Sequence, residues 1–459
     1  MIIFLYGVLG FIILVFFHEL GHFLAAKSVG MKVDAFAIGM GPTLLEKKYK
    51  DTVYKLCLIP LGGYCAIKGQ DDFGSVQRNN EKDSFFGKGA LARFWVVAAG
   101  PLFSFILGFI FISFTFMING ETRLKYTKLD PPSRSSLFKP QDEVMKVNGK
   151  NVQYWDEVTM QLLSNIGEPN NITVKRGNKN VEIKNYIFDP NEKDPLKSDF
   201  TLFYRQGPTM IQKVKANSPA DKAGLILGDI IVSINNNLVR TDFNVLQDIA
   251  STKETVTMII HRYPKIMNII KKDPQFYKNP QYHYETLQLK MRPEVTNDSQ
   301  KRKVIGITGL YTFPGKEVKD AQEYRAIGFM EGLKEGLLKS KQIMVLNAKG
   351  ILKLLQGNKI IAEGLSGPIK IFYQVGKLSE INGFMIFLNI IGVISLSLAF
   401  FNLLPFPALD GGHMLITIIE AIRRKPINIK ILNIIQTVGI FLLLLLFIFV
   451  SIRDVISFF

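Results

Sequence analysis

Four stretches of this chain are apolar for long enough to cross a lipid bilayer as helices, which takes about 20 residues. They run from Ile2 to about Val29, Phe94 to Ile118, Phe384 to about Leu409 and Ile431 to Val450. The first carries no charge between Ile2 and Phe17, and the fourth centres on the Leu-rich run 442–446. No basic segment precedes the first stretch and no small-residue cleavage site follows it, so it reads as a retained span rather than a signal peptide. Composition makes sense only against this segregation. Of 459 residues 47% are hydrophobic, yet 21% are charged and the net charge is +17, as expected for apolar spans joined to polar blocks. The apolar content excludes a disordered chain, and two Cys exclude a disulfide scaffold. No nucleic-acid recognition motif accompanies the charge, so no nucleic-acid partner is expected, and the excess reads as a solvated exterior.

Lys and Arg in short loops mark the cytoplasmic side. Arg423, Arg424, Lys425 and Lys430 lie between the third and fourth stretches. Lys32, Lys47, Lys48, Lys50 and Lys55 lie between the first and second, with Lys88 and Arg93 abutting the second. Both termini and the long middle are therefore expected outside. The expected organisation is 1–118, two spans with a cytoplasmic hairpin; 119–200 and 201–295, two modules; 296–383, a helical linker; and 384–459, two more spans.

The middle contains an internal echo. Gln141 to Gly149 reappears as Gly228 to Asn236, offset by about 87 residues, a spacing that suggests tandem modules. Each copy reads as an alternating strand closed by an Asn-Gly or Asn-Asn turn, then a helix at about Trp155–Leu163 or Asp242–Ile249. The string from Ser218 to Asn235, SPADKAGLILGDIIVSIN, resembles a PDZ domain of the bacterial protease type. The first copy resembles it less, with Ser133–Phe138 in place of the Ser-Pro-Ala portion. The resemblance implies two PDZ-like α+β domains, capturing extended peptides by strand addition; a ligand-free β-rich spacer is the alternative. In 326–355, Met330, Leu333, Leu337, Met344, Ala348, Ile351 and Leu355 form a helical stripe with lysines between them. That helix is expected along the membrane surface or packed under the modules.

The chemistry-bearing residues sit at the ends of two spans. His18-Glu19-Leu20-Gly21-His22 closes the first. On a helix its two histidines are one turn apart, about 40° in projection, so both imidazoles can hold one ion. Glu19, about 100° from His18, is placed to act on water rather than as a ligand. Charged groups in a span cost on the order of 2–3 kcal/mol at its centre and usually carry function. Zinc needs a third protein ligand if one position is to stay open. Asn402-Leu403-Leu404-Pro405-Phe406-Pro407-Ala408-Leu409-Asp410-Gly411-Gly412-His413 offers Asp410, with His413 competing. Asp410 is favoured because a carboxylate offsets part of the ion's charge. Asn402 could donate to a substrate backbone or hold a helix-ending turn. Cys57 and Cys65, on a cytoplasmic hairpin, are expected as reduced thiols.

His18-Glu19-Leu20-Gly21-His22 in a first span, paired with NLLPFPALDGGH in a later one, resembles the site-2 proteases, and the tandem modules narrow this to the bacterial RseP type. The resemblance covers most of the chain, including Gly39–Gly69, similar to the family's membrane-associated β-hairpin, and Ser366–Ile369. It implies a polytopic α-helical enzyme of the bacterial inner membrane with zinc on His18, His22 and Asp410 and Glu19 as general base. It places Asn402, Pro405 and Pro407 in substrate handling, and Gly62, Gly63 and Tyr64 in a hairpin, 53–67, that pairs with substrate as a strand. It further implies single-span membrane substrates, such as anti-sigma-factor-like regulators or signal-peptide remnants, already trimmed by a site-1 protease. The competing readings are a metal or ion transporter and a catalytically dead PDZ scaffold.

Overall fold

The structure is a computed structural model, and it describes every residue except 1, 71–80, 126, 130–136, 140–141, 189–208, 240–244, 246–248, 250–251, 253–254, 265, 267–268, 270–280, 296–302, 313–321, 365–366 and 459. In chain order the elements are α1 (Ile2–Ser28), β1 (Val33–Tyr49), β2 (Thr52–Ile67), α2 (Ala90–Asn119), β3 (Glu121–Leu124), β4 (Glu143–Val147), β5 (Lys150–Asn151), α3 (Trp155–Leu163), β6 (Pro169–Arg176), β7 (Lys179–Ile187), β8 (Thr209–Val214) and α4 (Pro219–Lys222). They continue as β9 (Ile230–Ile234), β10 (Asn237–Leu238), β11 (Val256–Arg262), β12 (Glu285–Met291), β13 (Glu294–Val295), β14 (Lys303–Val304), β15 (Ile307–Thr312), β16 (Gln322–Arg325), α5 (Phe329–Leu355), α6 (Lys359–Gly364), α7 (Pro368–Asn382), α8 (Phe384–Asn402), α9 (Asp410–Arg423) and α10 (Ile429–Phe458). Two compact units result: Met1–Glu121 with Arg325–Phe459, and Thr122–Tyr324.

In the first unit α1, α2, α8 and α10 are long and apolar enough to cross a membrane. The third stretch ends earlier than its apolar run suggests. The helix stops at Asn402 rather than near Leu409, because Pro405 and Pro407 cannot donate to a continuing ladder, and a separate helix starts at Asp410. Helix α2 is the hub, packed by α1, α5, α8 and α9. Close approach is built into it: Gly108 faces Gly392 of α8, where an added Cβ would lie 2.7 Å from the Gly392 carbonyl oxygen. Helix α5 packs against α2 and α8. A Cβ at Gly332 would strike the Met117 side chain of α2.

The hairpin is wider than expected. Its turn is at Lys50-Asp51, with Lys50 in the left-handed region, so 53–67 is one folded arm rather than a hairpin by itself. The residues Ala35–Ile38 face Val53–Leu56 on one side and Gly63–Ala66 on the other. A core of Ala25, Ala26, Val33, Phe36, Cys65 and Val97 ties this sheet to α1 and α2.

The second unit holds two β-modules, each with its own core. One is a four-stranded sheet in the order β5-β4-β6-β7 with α3; the other runs β12-β11-β9-β8-β15, with β10 on β9. The latter takes in Ile307–Thr312, which the sequence assigns to the linker. Two-stranded ribbons, β3 with β16 and β13 with β14, complete the unit. The expected helix Asp242–Ile249 falls largely outside the described residues, though Val245 and Ile249 are described and buried in the module core. Most of Ser133–Phe138 also lies outside them.

The echo in sequence is an echo in bonding. Buried Asp142 takes Arg176 Nε and Nη2 at 2.8 and 2.6 Å, and buried Asp229 takes Arg262 Nε and Nη2 at 2.8 Å each. Asn148 and Asn235, both left-handed, use their side-chain oxygens to accept the N–H of Asn171 and Thr257. Removing one partner of such a pair leaves an uncompensated charge, which costs about 3–5 kcal/mol when fully buried and less here because the arginines are partly exposed. Asp229→Ala is therefore expected to speed amide hydrogen exchange in residues 230–234 and 256–262 by at least tenfold, leaving exchange in α2 unchanged.

Candidate metal centre

Helix α1 carries His18 and His22 on one face, and the first turn of α9 brings Asp410 to meet them. Three side chains converge. His18 Nε2 and His22 Nε2 are 3.4 Å apart, Asp410 Oδ2 is 3.2 Å from the former, and Oδ1 is 3.5 Å from the latter. A tetrahedral zinc ion with bonds of about 2.0–2.1 Å spaces its ligands about 3.3–3.4 Å apart, so the trio already has the edges of a zinc site. The outer hydrogen bonds agree. His22 Nδ1 lies 2.9 Å from the Val96 carbonyl oxygen, which can only accept. In the neutral imidazole the proton is then on Nδ1, and Nε2 turns a bare lone pair toward the carboxylate. Asp410 Oδ2 has no hydrogen-bond partner despite its burial. Lone pairs converging in this way call for a cation. Among the described residues this is the group of His, Cys, Asp and Glu able to share one.

Helix α2 aims the ligands. His18 Nδ1 is 3.0 Å from Ser104 Oγ, and the Ser104 carbonyl accepts from Ser395 Oγ of α8 at 2.7 Å. Gly21 lets α2 close on α1, since a Cβ there would lie 2.3 Å from the Ala99 carbonyl oxygen. Gly100 makes room for His22: its Cβ would be 2.1 Å from His22 Nε2. On the other side the chain reverses through Pro405, Pro407 and left-handed Ala408 to start α9. Leu409, extended, precedes the helix as its N-cap, so Asp410 is free of capping duty. Tight approach of 411 and 412 to the carbonyls of Leu404 and Phe406 admits only Gly.

Glu19 faces the same space and accepts the Cys65 N–H of β2. A Cβ at Gly63 would lie 3.5 Å from Glu19 Cγ, which places the Gly62-Gly63-Tyr64 stretch alongside it. His18, Glu19, His22 and Asp410 line a cavity of about 810 Å³ walled by α1, α2, α5, the start of α7, the end of α8 and α10. Asn402 is the last residue of α8, and Pro405 and Pro407 lie in the turn that follows. His413 lines the cavity one turn beyond Asp410 but is not one of the converging trio. Neither cysteine is in a disulfide, and both are buried. The trio and Glu19, singled out in the sequence, come together here, beside Ser104 and the Val96 carbonyl, which were not. A serine in a Phe-rich span was the available signal for the first; a backbone carbonyl gives none.

Gly100→Ala is expected to displace His22, and the purified protein should lose most of its zinc by elemental analysis. Ser104→Ala, which frees His18 without crowding it, should weaken zinc binding about 10- to 100-fold in competition with a chelator.

Residues 6–446 match the model of peptidase family M50. The chain is 31% identical over 460 residues to the regulator of sigma E protease of Haemophilus influenzae, covering 96% of each chain. It is 30% identical to the regulator of sigma-E protease RseP of Escherichia coli, over 97% of each chain. It is also 30% identical to a putative zinc metalloprotease of Vibrio cholerae, over 91% of this chain and 90% of the other. With a family match over nearly its whole length, this chain belongs to peptidase family M50, the site-2 metalloproteases, whose cofactor is zinc.

Proposed function

We propose that this protein cleaves single-span membrane proteins within their membrane segments, with zinc held by His18, His22 and Asp410 and Glu19 as general base. The observation that carries the reading is the convergence of the trio beside Glu19 in one cavity walled by membrane-length helices. A transmembrane substrate hides each scissile bond in its own hydrogen-bonded ladder, and hydrocarbon withholds water. The enzyme must therefore unwind the segment and hydrate it.

The edge of β2 next to Glu19 suits the first task. A substrate strand laid along Gly62, Gly63 and Tyr64 would gain the backbone partners it loses on unwinding. Asn402, where α8 ends, would donate its amide to the substrate backbone, with Pro405 and Pro407 in the turn that follows it. Zinc, when bound, supplies Lewis acidity toward the scissile carbonyl and lowers the pKa of water. Glu19 takes the proton from the attacking water and returns it to the leaving amine, and the Cys65 N–H holds its carboxylate in place.

The two modules of Thr122–Tyr324 read as PDZ-like domains on the outer side. They would exclude bulky ectodomains, so that substrates arrive already trimmed by another protease, and the second would capture newly exposed peptide ends. The basic short loops place the metal centre near the cytoplasmic face and both termini outside, in the inner membrane of a bacterium. A transporter or an inert scaffold would leave Glu19 beside the trio without a task.

The test is purified full-length protein with single-span peptides that lack ectodomains. Wild type should cleave within the span, and a chelator should abolish cleavage. Glu19→Gln should keep its zinc while kcat falls by about 10²- to 10⁴-fold. His22→Ala and Asp410→Ala should lose both zinc and activity. Cleavage at the wild-type rate by Glu19→Gln would remove Glu19 as base.

A further inference from the structure

Below the metal centre the structure leaves two buried polar atoms of opposite character without partners. Arg93, at the start of α2, spends Nη1 on Glu420 of α9 at 2.6 Å, and Glu420 passes its other oxygen to the Ile427 N–H at 2.8 Å. Arg93 Nε, a donor, is buried with nothing to donate to. Gln70 Oε1, an acceptor, is buried with nothing to accept from. Both side chains line the same small pocket of about 20 Å³, together with His413, Thr417 and Gln436. One water needs about 10–15 Å³ and at least two polar partners, so the pocket has room for one and a donor and an acceptor to hold it.

The pocket's position gives it meaning. Gln70, His413 and Gln436 belong to its wall and also to the wall of the large cavity that contains His18, Glu19, His22 and Asp410. They are the residues common to the two walls, all three polar, whereas Ile416 and Leu432 line the small pocket alone. We propose that the pocket is a solvent site, in which one water accepts from Arg93 Nε–H and donates to Gln70 Oε1, and that it replenishes the catalytic cavity across the Gln70–His413–Gln436 partition. This rests on the hydrolytic reading, since each turnover consumes one water in a cavity that an apolar substrate fills. Arg93 acts as a positioning residue twice over: it fixes α9, the helix of Asp410, through Glu420, and it orients the reserve water.

The test joins a structure to kinetics, both on full-length, zinc-loaded protein. A map that shows ordered solvent should contain one water within hydrogen-bond distance of Arg93 Nε and Gln70 Oε1. Gln70→Met removes the acceptor at nearly constant volume, and Leu432→Phe fills the pocket without touching a polar group. Each should lose the water and lower kcat about tenfold, the effect of one hydrogen bond, with KM and zinc content unchanged. A wild-type pocket without solvent overturns the site, whatever the activity. Unchanged kcat in a Gln70→Met protein whose map lacks the water overturns the supply role. Failure of wild type to cleave any single-span peptide would instead count against the protease reading and leave the solvent site standing if its density is present.

Discussion

Two imidazoles and a carboxylate must meet inside an apolar bundle although they come from segments nearly 400 residues apart, and most of the membrane unit is arranged around that meeting. Attraction to a shared cation would offset the cost of withdrawing them from water, but only if they are already aimed. Helix α2 does the aiming. It offers the Val96 carbonyl to His22 and the Ser104 hydroxyl to His18, and lacks a side chain at Gly100 where one would displace the ligand. Through Arg93 it also grips Glu420 on the helix that begins with Asp410. One span thus positions ligands on both sides of it, and its small residues permit the crowding that this demands.

The same constraint accounts for the broken third span. A continuous helix through 384–409 would present Asp410 only as a terminal residue, with its orientation set by the span. Stopping at Asn402 and reversing through two prolines gives Asp410 its own helix, anchored at the far end by the Arg93–Glu420 pair. Span 4, by contrast, is the least enclosed of the four and contributes mostly apolar side chains to the cavity wall. The polar exception is Gln436, which sits where the cavity meets the small solvent pocket.

Much of this was legible in the sequence for a physical reason: helical spacing is local. His18 and His22 fall on one face whatever surrounds them, and the four apolar runs locate the starts of the spans to within about four residues. The echo at 141–149 and 228–236 was visible too, but not the Arg176 and Arg262 that meet its aspartates, because strand pairing brings them from over thirty residues away. The end of span 3 was misjudged because hydrophobicity continues through Leu403, Leu404 and Phe406 after the hydrogen-bond ladder has stopped. The hairpin given as Gly39–Gly69, with 53–67 as its pairing part, runs Val33–Ile67, and Gly62 and Gly63 lie within the arm of β2 and leave room for the Glu19 helix. Gln70 carries no local signature, Ser104 only that of a serine in a Phe-rich span and Arg93 only that of a charge beside one; each matters through what it faces.

The identity of the metal's ligands can be read from X-ray absorption at the zinc edge of the purified, zinc-loaded protein. The arrangement of His18, His22 and Asp410 predicts two imidazole nitrogens with the remaining scatterers oxygen, all at about 2.0–2.2 Å. A sulfur scatterer at about 2.3 Å, which only Cys57, Cys65 or a methionine could supply, would contradict it.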